Sequence, residues 1–143
     1  MQMTRKVGVT ATRKGMSQKQ KDKFTEIIKD LKPYEFHDGD CLGGDREAHM
    51  IVRGLFRGCY MKGHPPEDDT HRAFSKYDMW WPPTPYLERN HRIVDVVDIV
   101  VACPKQMKEP KTQRGGGTWA TVRYARKVGR NLTIIYPDGT IGV

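Results

Sequence analysis

Apolar and polar positions along the chain change period several times, and each change marks an expected element. Lys6–Thr10 (KVGVT) alternates and then runs apolar, as a buried first strand does. After a polar loop over Ala11–Met16, Ser17 with Gln20 three residues on forms a capping-box pattern. Phe24, Ile27, Ile28 and Leu31 then recur at i, i+3, i+4 and i+7. That spacing predicts a helix over residues 18–32, one face on a sheet, stopped by Pro33. Tyr34–His37 reads as a short strand, followed by the loop HDGDCLGGD. A second helix is expected from Asp45 to Phe56, with Ala48, Ile51, Val52 and Leu55 in one stripe, and Gly58–Lys62 is a third strand.

From Gly63 to Pro83 no period is sustained. The stretch is polar and proline-rich, carries Trp80 and Trp81, and has the length of a functional or mobile loop. Thr84-Pro85 supplies a hydroxyl cap and a proline for the first helical position, after which Tyr86, Asn90, Ile93, Val94 and Val97 fall on one side. Asp98–Cys103 (DIVVAC) is a continuous apolar run, the mark of a central strand covered on both faces. A basic linker, Lys105–Arg114, leads into GGGT and a helix to Lys127. Asn131–Tyr136 is the next strand, and Asp138-Gly139 turns the chain into the short extension TIGV. Strands alternating with helices predict a Rossmann-like α/β three-layer sandwich with a mainly parallel sheet of about five strands. At 143 residues without an internal repeat, residues 1–143 are expected to form a single domain around one core.

Composition narrows the class. Hydrophobic residues at 37% and charged ones at 29% suit a soluble globular domain, and no apolar run approaches the roughly 18 residues of a membrane span. The first residues lack the apolar core of an export signal, so a cytoplasmic location without membrane attachment is expected. Cys41, Cys59 and Cys103 have neither CxxC nor zinc-type spacing and read as small buried apolar residues. A formal charge of +8 favours an anionic partner, either nucleic acid or phosphate on a small ligand. The basic residues are spread out, so charge alone does not choose between them.

Open parallel sheets bind ligands beyond the carboxyl ends of their strands, where strand order reverses. Three glycine- and polar-rich loops leave such ends and precede helices: Thr10–Met16, Asp38–Asp45 and Arg114–Thr118. Helix amino ends offer unpaired N–H groups and partial positive charge, and glycine lets the backbone touch a phosphate directly. The candidate phosphate-binding residues are therefore Thr10, Thr12, Arg13, Gly39, Gly43, Gly44, Arg114, Gly115, Gly116, Gly117 and Thr118. For Gly43-Gly44 a plain strand-to-helix turn is an equal reading, and for the triple glycine a merely flexible turn competes. Glu88-Arg89-Asn90 opens the helix before the central strand; a carboxylate beside an arginine there suits proton transfer and phosphate binding, against an ordinary surface ion pair. His37, Asp38, Asp40, Asp45 and His49 invite a metal reading, with Asp45 and His49 one helical turn apart. Loop acids mostly cap or face solvent, so neither a metal nor a cofactor is expected. Trp80 and Trp81 serve either to stack on a base or to pin their own loop.

Several of these segments, taken in order, resemble a known superfamily. Glu88-Arg89-Asn90, the strand DIVVAC and Gly115-Gly116-Gly117-Thr118 follow the order of an "ERK" helix, an apolar strand and a PGGxGTxxE loop. GDCLGGDREAH looks like the glycine-to-helix segment of the same group, and MKGHPP like its strand ending. The chain thus resembles, over nearly its full length, the SLOG group: the "lonely guy" phosphoribohydrolases, the DNA-processing protein A family and nucleotide-sensing domains of bacterial defence systems.

The resemblance implies a nucleotide or nucleotide-derived ligand on the glycine-rich loops, and a homodimer or higher homo-oligomer. In the lonely-guy enzymes, which cleave the N-glycosidic bond of nucleoside 5′-monophosphates, a helix arginine works with a glutamate three residues after the loop threonine. The matching positions are Arg89 and Thr121, and a basic insertion, Lys105–Gln113, separates Pro104 from the loop. Threonine does not shuttle a proton near neutral pH as a carboxylate does. The resemblance therefore implies ligand contacts from Arg89 and Thr121 without the standard hydrolytic pair. A nucleotide-binding sensor or sequestering module is the expectation. Its alternatives are a nucleoside-monophosphate glycosidase with Glu88, Asp40 or Asp45 as a relocated acid (Glu88 and Arg89 being the catalytic candidates), and single-stranded nucleic-acid binding.

Overall fold

The computed structural model describes residues 5–111 and 116–143. Its elements, in chain order, are β1 (Lys6–Ala11), α1 (Gln18–Leu31), β2 (Glu35–Asp38), α2 (Gly44–Leu55), β3 (Tyr60–Gly63), β4 (Met79–Trp80), α3 (Tyr86–Val96), β5 (Ile99–Cys103), α4 (Gly116–Val128), β6 (Asn131–Ile135) and β7 (Ile141–Gly142). The strands form one sheet in the order β4-β3-β2-β1-β5-β6-β7. Every pairing is parallel except the β6–β7 hairpin. Chain order reverses between β1, whose neighbours are β2 and β5, and β5.

Alternation within the central strands builds the three layers. Val101 and Cys103 join Val7, Val9, Phe36 and Met61 in a core with Phe24 and Ile28 of α1 and Ala48 and Val52 of α2. The intervening Val100 packs with Val94 and Ala125, and Ala102 with Trp119, Val122 and Ile134, so α3 and α4 cover the opposite face. A strand flanked on both faces by helices has no polar side, which is why β5 reads as an unbroken apolar run. The α3–α4 pair is clamped at its outer edge, where His91 stacks on Tyr124 at 3.8 Å and the Tyr124 hydroxyl donates to Asp95 at 2.8 Å.

The start of α1 matches its sequence signature. Ser17 Oγ accepts from the Gln20 N–H at 3.0 Å, and Gln20 Oε1 accepts from the Ser17 N–H at 2.9 Å. Gln20 is buried, and its amide also donates to the carbonyls of Pro104 and Ile135, tying the helix to the ends of β5 and β6. At α3 the expected cap shifts by one residue. Pro85 occupies the cap position, and Thr84 Oγ1 has no partner among the described residues. The Thr84 backbone is instead bonded to Pro65 and Glu67, ahead of the helix.

The five expected strands are present, and two more join them. β4 and β7 have two residues each, too few to show any period in sequence. β4 lies in the stretch read as irregular, which is held down along its length. Leu42 N–H bonds to the His71 carbonyl, Ala73 N–H to Asp40, Asp78 N–H to Met61 and Trp81 N–H to Gly63. The Asp40 carboxylate reinforces this by accepting from Arg72 Nε at 2.8 Å and the Ser75 N–H at 2.9 Å. No helix among the described residues is long and apolar enough to cross a membrane.

Candidate ligand-binding cavity

A cavity of about 470 Å³ opens over the carboxyl end of β1, next to the point where strand order reverses. Its size falls within the range of small-molecule sites. Its floor is Val9–Ala11, with Thr12, Arg13 and Lys14 in the loop beyond. Gly39, Cys41 and Asp45 come from the segment after β2, and Tyr86, Arg89, Asn90 and Ile93 from one face of α3. Lys105 and Gln106 follow β5, and Gly116, Gly117 and Thr118 form the amino end of α4. Gln106 is fixed by accepting from the Trp119 indole N–H at 3.0 Å.

Arg89 is the central group. It is 5% exposed, and its guanidinium reaches across from α3 to the β2 and β3 ends. Nε donates to Asn90 Oδ1 at 2.7 Å, and Nη1 donates to the Gly39 carbonyl and, at 3.2 Å, to the His64 carbonyl. Both Nη atoms lie 3.7 Å from Cys41 Sγ. Every one of these acceptors is neutral. Gly39 has to be glycine for this packing, because a Cβ there would collide with Arg89 Nη1 and stand 2.8 Å from Asp45 Oδ2. The Arg13 and Arg89 guanidiniums lie 4.8 and 5.3 Å from the centroid of the Tyr86 ring, so the ring is wedged against two cations.

Asp45 is 7% exposed, and burial raises its carboxyl to about 7. Arg89 and the backbone N–H groups of Cys41 and Gly39 pull the other way but do not outweigh burial. The Cys41 thiol is also pushed up, by burial and then by Asp45. All three cysteines are buried and free, and Cys41 additionally walls the cavity.

The cavity gathers Thr10, Thr12, Arg13, Gly39, Arg89, Gly116, Gly117 and Thr118 of the candidates read from sequence. Arg114 and Gly115 lie outside the described residues. Four candidates fall elsewhere. Gly43 and Gly44 serve contacts within the chain: Gly43 has φ of 86° with a Cβ direction blocked by the Arg13 carbonyl, and the Gly44 N–H donates to the Thr12 carbonyl at 2.8 Å. Thr121 is 1% exposed and returns its hydroxyl to the Gly117 carbonyl one turn back at 2.8 Å, inside its own helix. Glu88 is exposed, and its charge acts on Arg92, one turn along, while adjacent Arg89 points inward. Asn90, Tyr86 and Ile93, read in sequence as a packing stripe, are cavity wall at this end of α3; their i, i+4 and i+7 spacing with Arg89 between was the available signal.

The histidines and acids of the metal reading are engaged in hydrogen bonds. Arg92 Nε donates to His64 Nδ1 at 3.0 Å, so His64 carries its hydrogen on Nε2, facing His37 Nδ1 at 2.8 Å. His37 Nε2–H in turn meets Glu35 at 2.6 Å. Burial drives His64 down to about 2 and His37 also downward, which keeps both rings neutral. Asp38 accepts from His49 Nδ1 at 2.9 Å, from the Tyr77 hydroxyl and from the Asp40 N–H. Trp81 stacks on His64 at 4.2 Å and so pins its loop, whereas Trp80 is exposed; neither lines the cavity.

An open, mostly parallel sheet in this order, with helices on both faces, is a Rossmann-like three-layer fold, the fold that the SLOG resemblance implies. No family model and no curated protein matches the chain in sequence. Solved structures do match in fold. The molybdenum cofactor binding protein of Rippkaea orientalis superposes with a TM-score of 0.68 at 15% identity, over 95% of this chain and 78% of its own. The molybdenum cofactor carrier protein of Chlamydomonas reinhardtii gives 0.63 at 20% identity, over 92% and 76%. DNA processing protein A of Streptococcus pneumoniae gives 0.61 at 16%, over 92% of this chain and 50% of its own. At such identities the likeness is one of fold.

Proposed function

We propose that the protein binds a phosphorylated, nucleotide-type ligand in this cavity, as a sensor or sequestering module. The carrying observation is Arg89: a buried cation in the cavity wall whose hydrogen-bond acceptors among the described residues are all neutral. The nearby Asp45 carboxyl, raised to about 7 by burial, offsets this charge only in part near neutral pH. An incompletely neutralised buried charge is costly, and an anion entering the cavity removes that cost. Arg13, Lys14 and Lys105 add positive charge at the rim, and the amino end of α4 adds aligned N–H groups. The helix-end glycines fit close backbone approach, since Gly116 has φ of 79° with nothing within 4 Å of its Cβ direction.

A second reading, carriage of a molybdenum cofactor, is favoured by the two fold neighbours named for that cofactor. The donor set fits the anionic part of such a group: Arg89, Arg13 and Lys105 with the α4 amino end would hold it, and the cofactor would bring its own redox chemistry. Single-stranded nucleic acid is less well served, because Trp81 is committed to His64 rather than offered to a base.

Thermal unfolding in the presence of AMP, GMP, cyclic mononucleotides and inorganic phosphate tests the reading. A ligand at 100 times its Kd adds about 2.7 kcal/mol of stability, a shift of several degrees. Arg89→Gln should lose most of that shift, and the rim variant Arg13→Ala should weaken it while leaving the core untouched. No shift with any nucleotide or with phosphate would refute the proposal.

A further inference from the structure

We infer that Asp45 reads the hydrogen-donor edge of the bound ring, so that the site selects a phosphorylated heterocycle carrying a ring N–H beside an exocyclic NH₂, the edge common to guanine and pterins. The inference rests on the cavity being the ligand site. It adds which ligand the site takes and which side chain decides.

An anion-binding cavity has no use for a buried carboxylate on phosphate's account, since like charge only weakens the hold. Yet Asp45 is the one carboxylate lining the cavity among the described residues, set among Arg13, Lys14, Arg89 and Lys105. Its place is specific. A Cβ at Gly117 would lie 3.3 Å from Asn90 Nδ2, so the Asn90 amide borders the amino end of α4. Asn90 Oδ1 receives Arg89 Nε at 2.7 Å, and Arg89 Nη1 reaches Gly39, next to Asp45 Oδ2. The cavity therefore runs from helix N–H groups, through an amide and a guanidinium, to a carboxylate. A ligand complementary to that order has an anionic tail at one end and paired hydrogen donors at the other.

Asp45 has capacity to spare. Two carboxylate oxygens accept about four hydrogen bonds, and among the described residues it draws on the backbone N–H groups of Cys41 and Gly39. The charged and titratable groups around it are Arg89 on α3, Asp38 on β2, Cys103 on β5, Cys41 beside it and Tyr77 from the long connection. Because burial holds its proton to about 7, two ring donors arriving at neutral pH would expel that proton. An adenine edge would do the reverse: it offers one donor and one acceptor, and pairs with the protonated acid.

The test is titration calorimetry of the full chain with GMP, IMP, AMP and neopterin monophosphate between pH 7 and 8.5. GMP and IMP differ only by the exocyclic amine, and their affinity ratio cancels the phosphate's own ionisation. A site built to meet a donor rejects the analogue lacking it, so GMP should bind at least about tenfold more tightly than IMP at pH 8. Neopterin monophosphate should keep that preference and separate a pterin source from a nucleotide one by whichever binds tighter. Asp45→Asn should bring GMP and IMP to within about twofold of each other. Equal wild-type affinities for GMP and IMP, a preference for AMP, or a ratio unchanged by Asp45→Asn would each overturn the inference while leaving anion binding in place. Failure of all four ligands and of inorganic phosphate to bind would remove the cavity reading and this inference with it.

Discussion

Asp45→Asn should make the protein more stable above pH 7 and leave it little changed in acid. The folded state raises this carboxyl from 3.8 to about 7, chiefly by burial. Below 3.8 both folded and unfolded chains hold the proton, and the side chain imposes no electrostatic cost. As pH rises from there, the unfolded chain ionises first, and stability falls until the folded carboxyl also ionises near 7. Roughly three pKa units at about 1.4 kcal/mol each set an upper limit of about 4 kcal/mol. Relaxation around the charge will reduce it, and about half that value is a realistic size. Asparagine has nearly the same shape, keeps an oxygen for the Cys41 and Gly39 N–H groups, and does not titrate. Urea unfolding of both proteins at pH 4.5, 6, 7 and 8 gives the difference directly, with the other ionisable groups cancelling to first order. The variant's advantage should grow by about 1.5–3 kcal/mol across that range. A constant difference would show that Asp45 is charged throughout. An advantage to wild type that grows with pH would show that Arg89 and the backbone donors outweigh burial, and the reasoning would be wrong at its first step.

Three further substitutions probe separate links. Gly43→Ala puts a Cβ against the Arg13 carbonyl at φ of 86° and should cost about 2 kcal/mol or more. Gly54→Ala, in the last turn of α2 with nothing within 4 Å, should instead stabilise by about 0.5 kcal/mol, and urea midpoints of the pair check both signs. Thr121→Glu forces a carboxylate into a position 1% exposed, so circular dichroism should show a strongly destabilised fold. Chromatography should then show no free base released from nucleoside monophosphates. Sustained release would place residue 121 in the cavity after all.

What was legible in the sequence is what depends on neighbours along the chain. The Ser17–Gln20 box and the Phe24–Ile28 stripe predict α1 because capping and helical period are local. DIVVAC predicts β5 because burial on both faces erases alternation. Three further things are not local. Gly43 and Gly116 both lie in glycine runs and have positive φ, but only the folded chain shows one pressed against Arg13 and the other open at a cavity. Glu88 and Arg89 are adjacent in sequence and so look paired, yet successive helix residues point about 100° apart, and one faces solvent while the other faces the cavity. Asp45 lies in a cluster of histidines and acids that suggested metal; the fold sends its neighbours into the Asp38–His49–Tyr77 bonds and leaves Asp45 alone on the cavity side.

That separation also narrows how the binding and cleavage readings differ. A glycosidase on this cavity needs a carboxyl at the reacting bond. Asp40 is occupied by Arg72, Ser75 and Tyr77, Glu88 is exposed and outside the cavity lining, and position 121 carries a hydroxyl turned back into its helix. Asp45 is the remaining acid, so both readings rest on one side chain. They demand opposite states of it. Recognition of two ring donors needs the ionised carboxylate and strengthens as pH rises through about 7, whereas donation of a proton to a departing base needs the neutral acid and weakens over the same interval. The direction in which the GMP-to-IMP affinity ratio and any base release change between pH 6 and 8 therefore tells the two apart without any substitution, because a single buried proton cannot serve both.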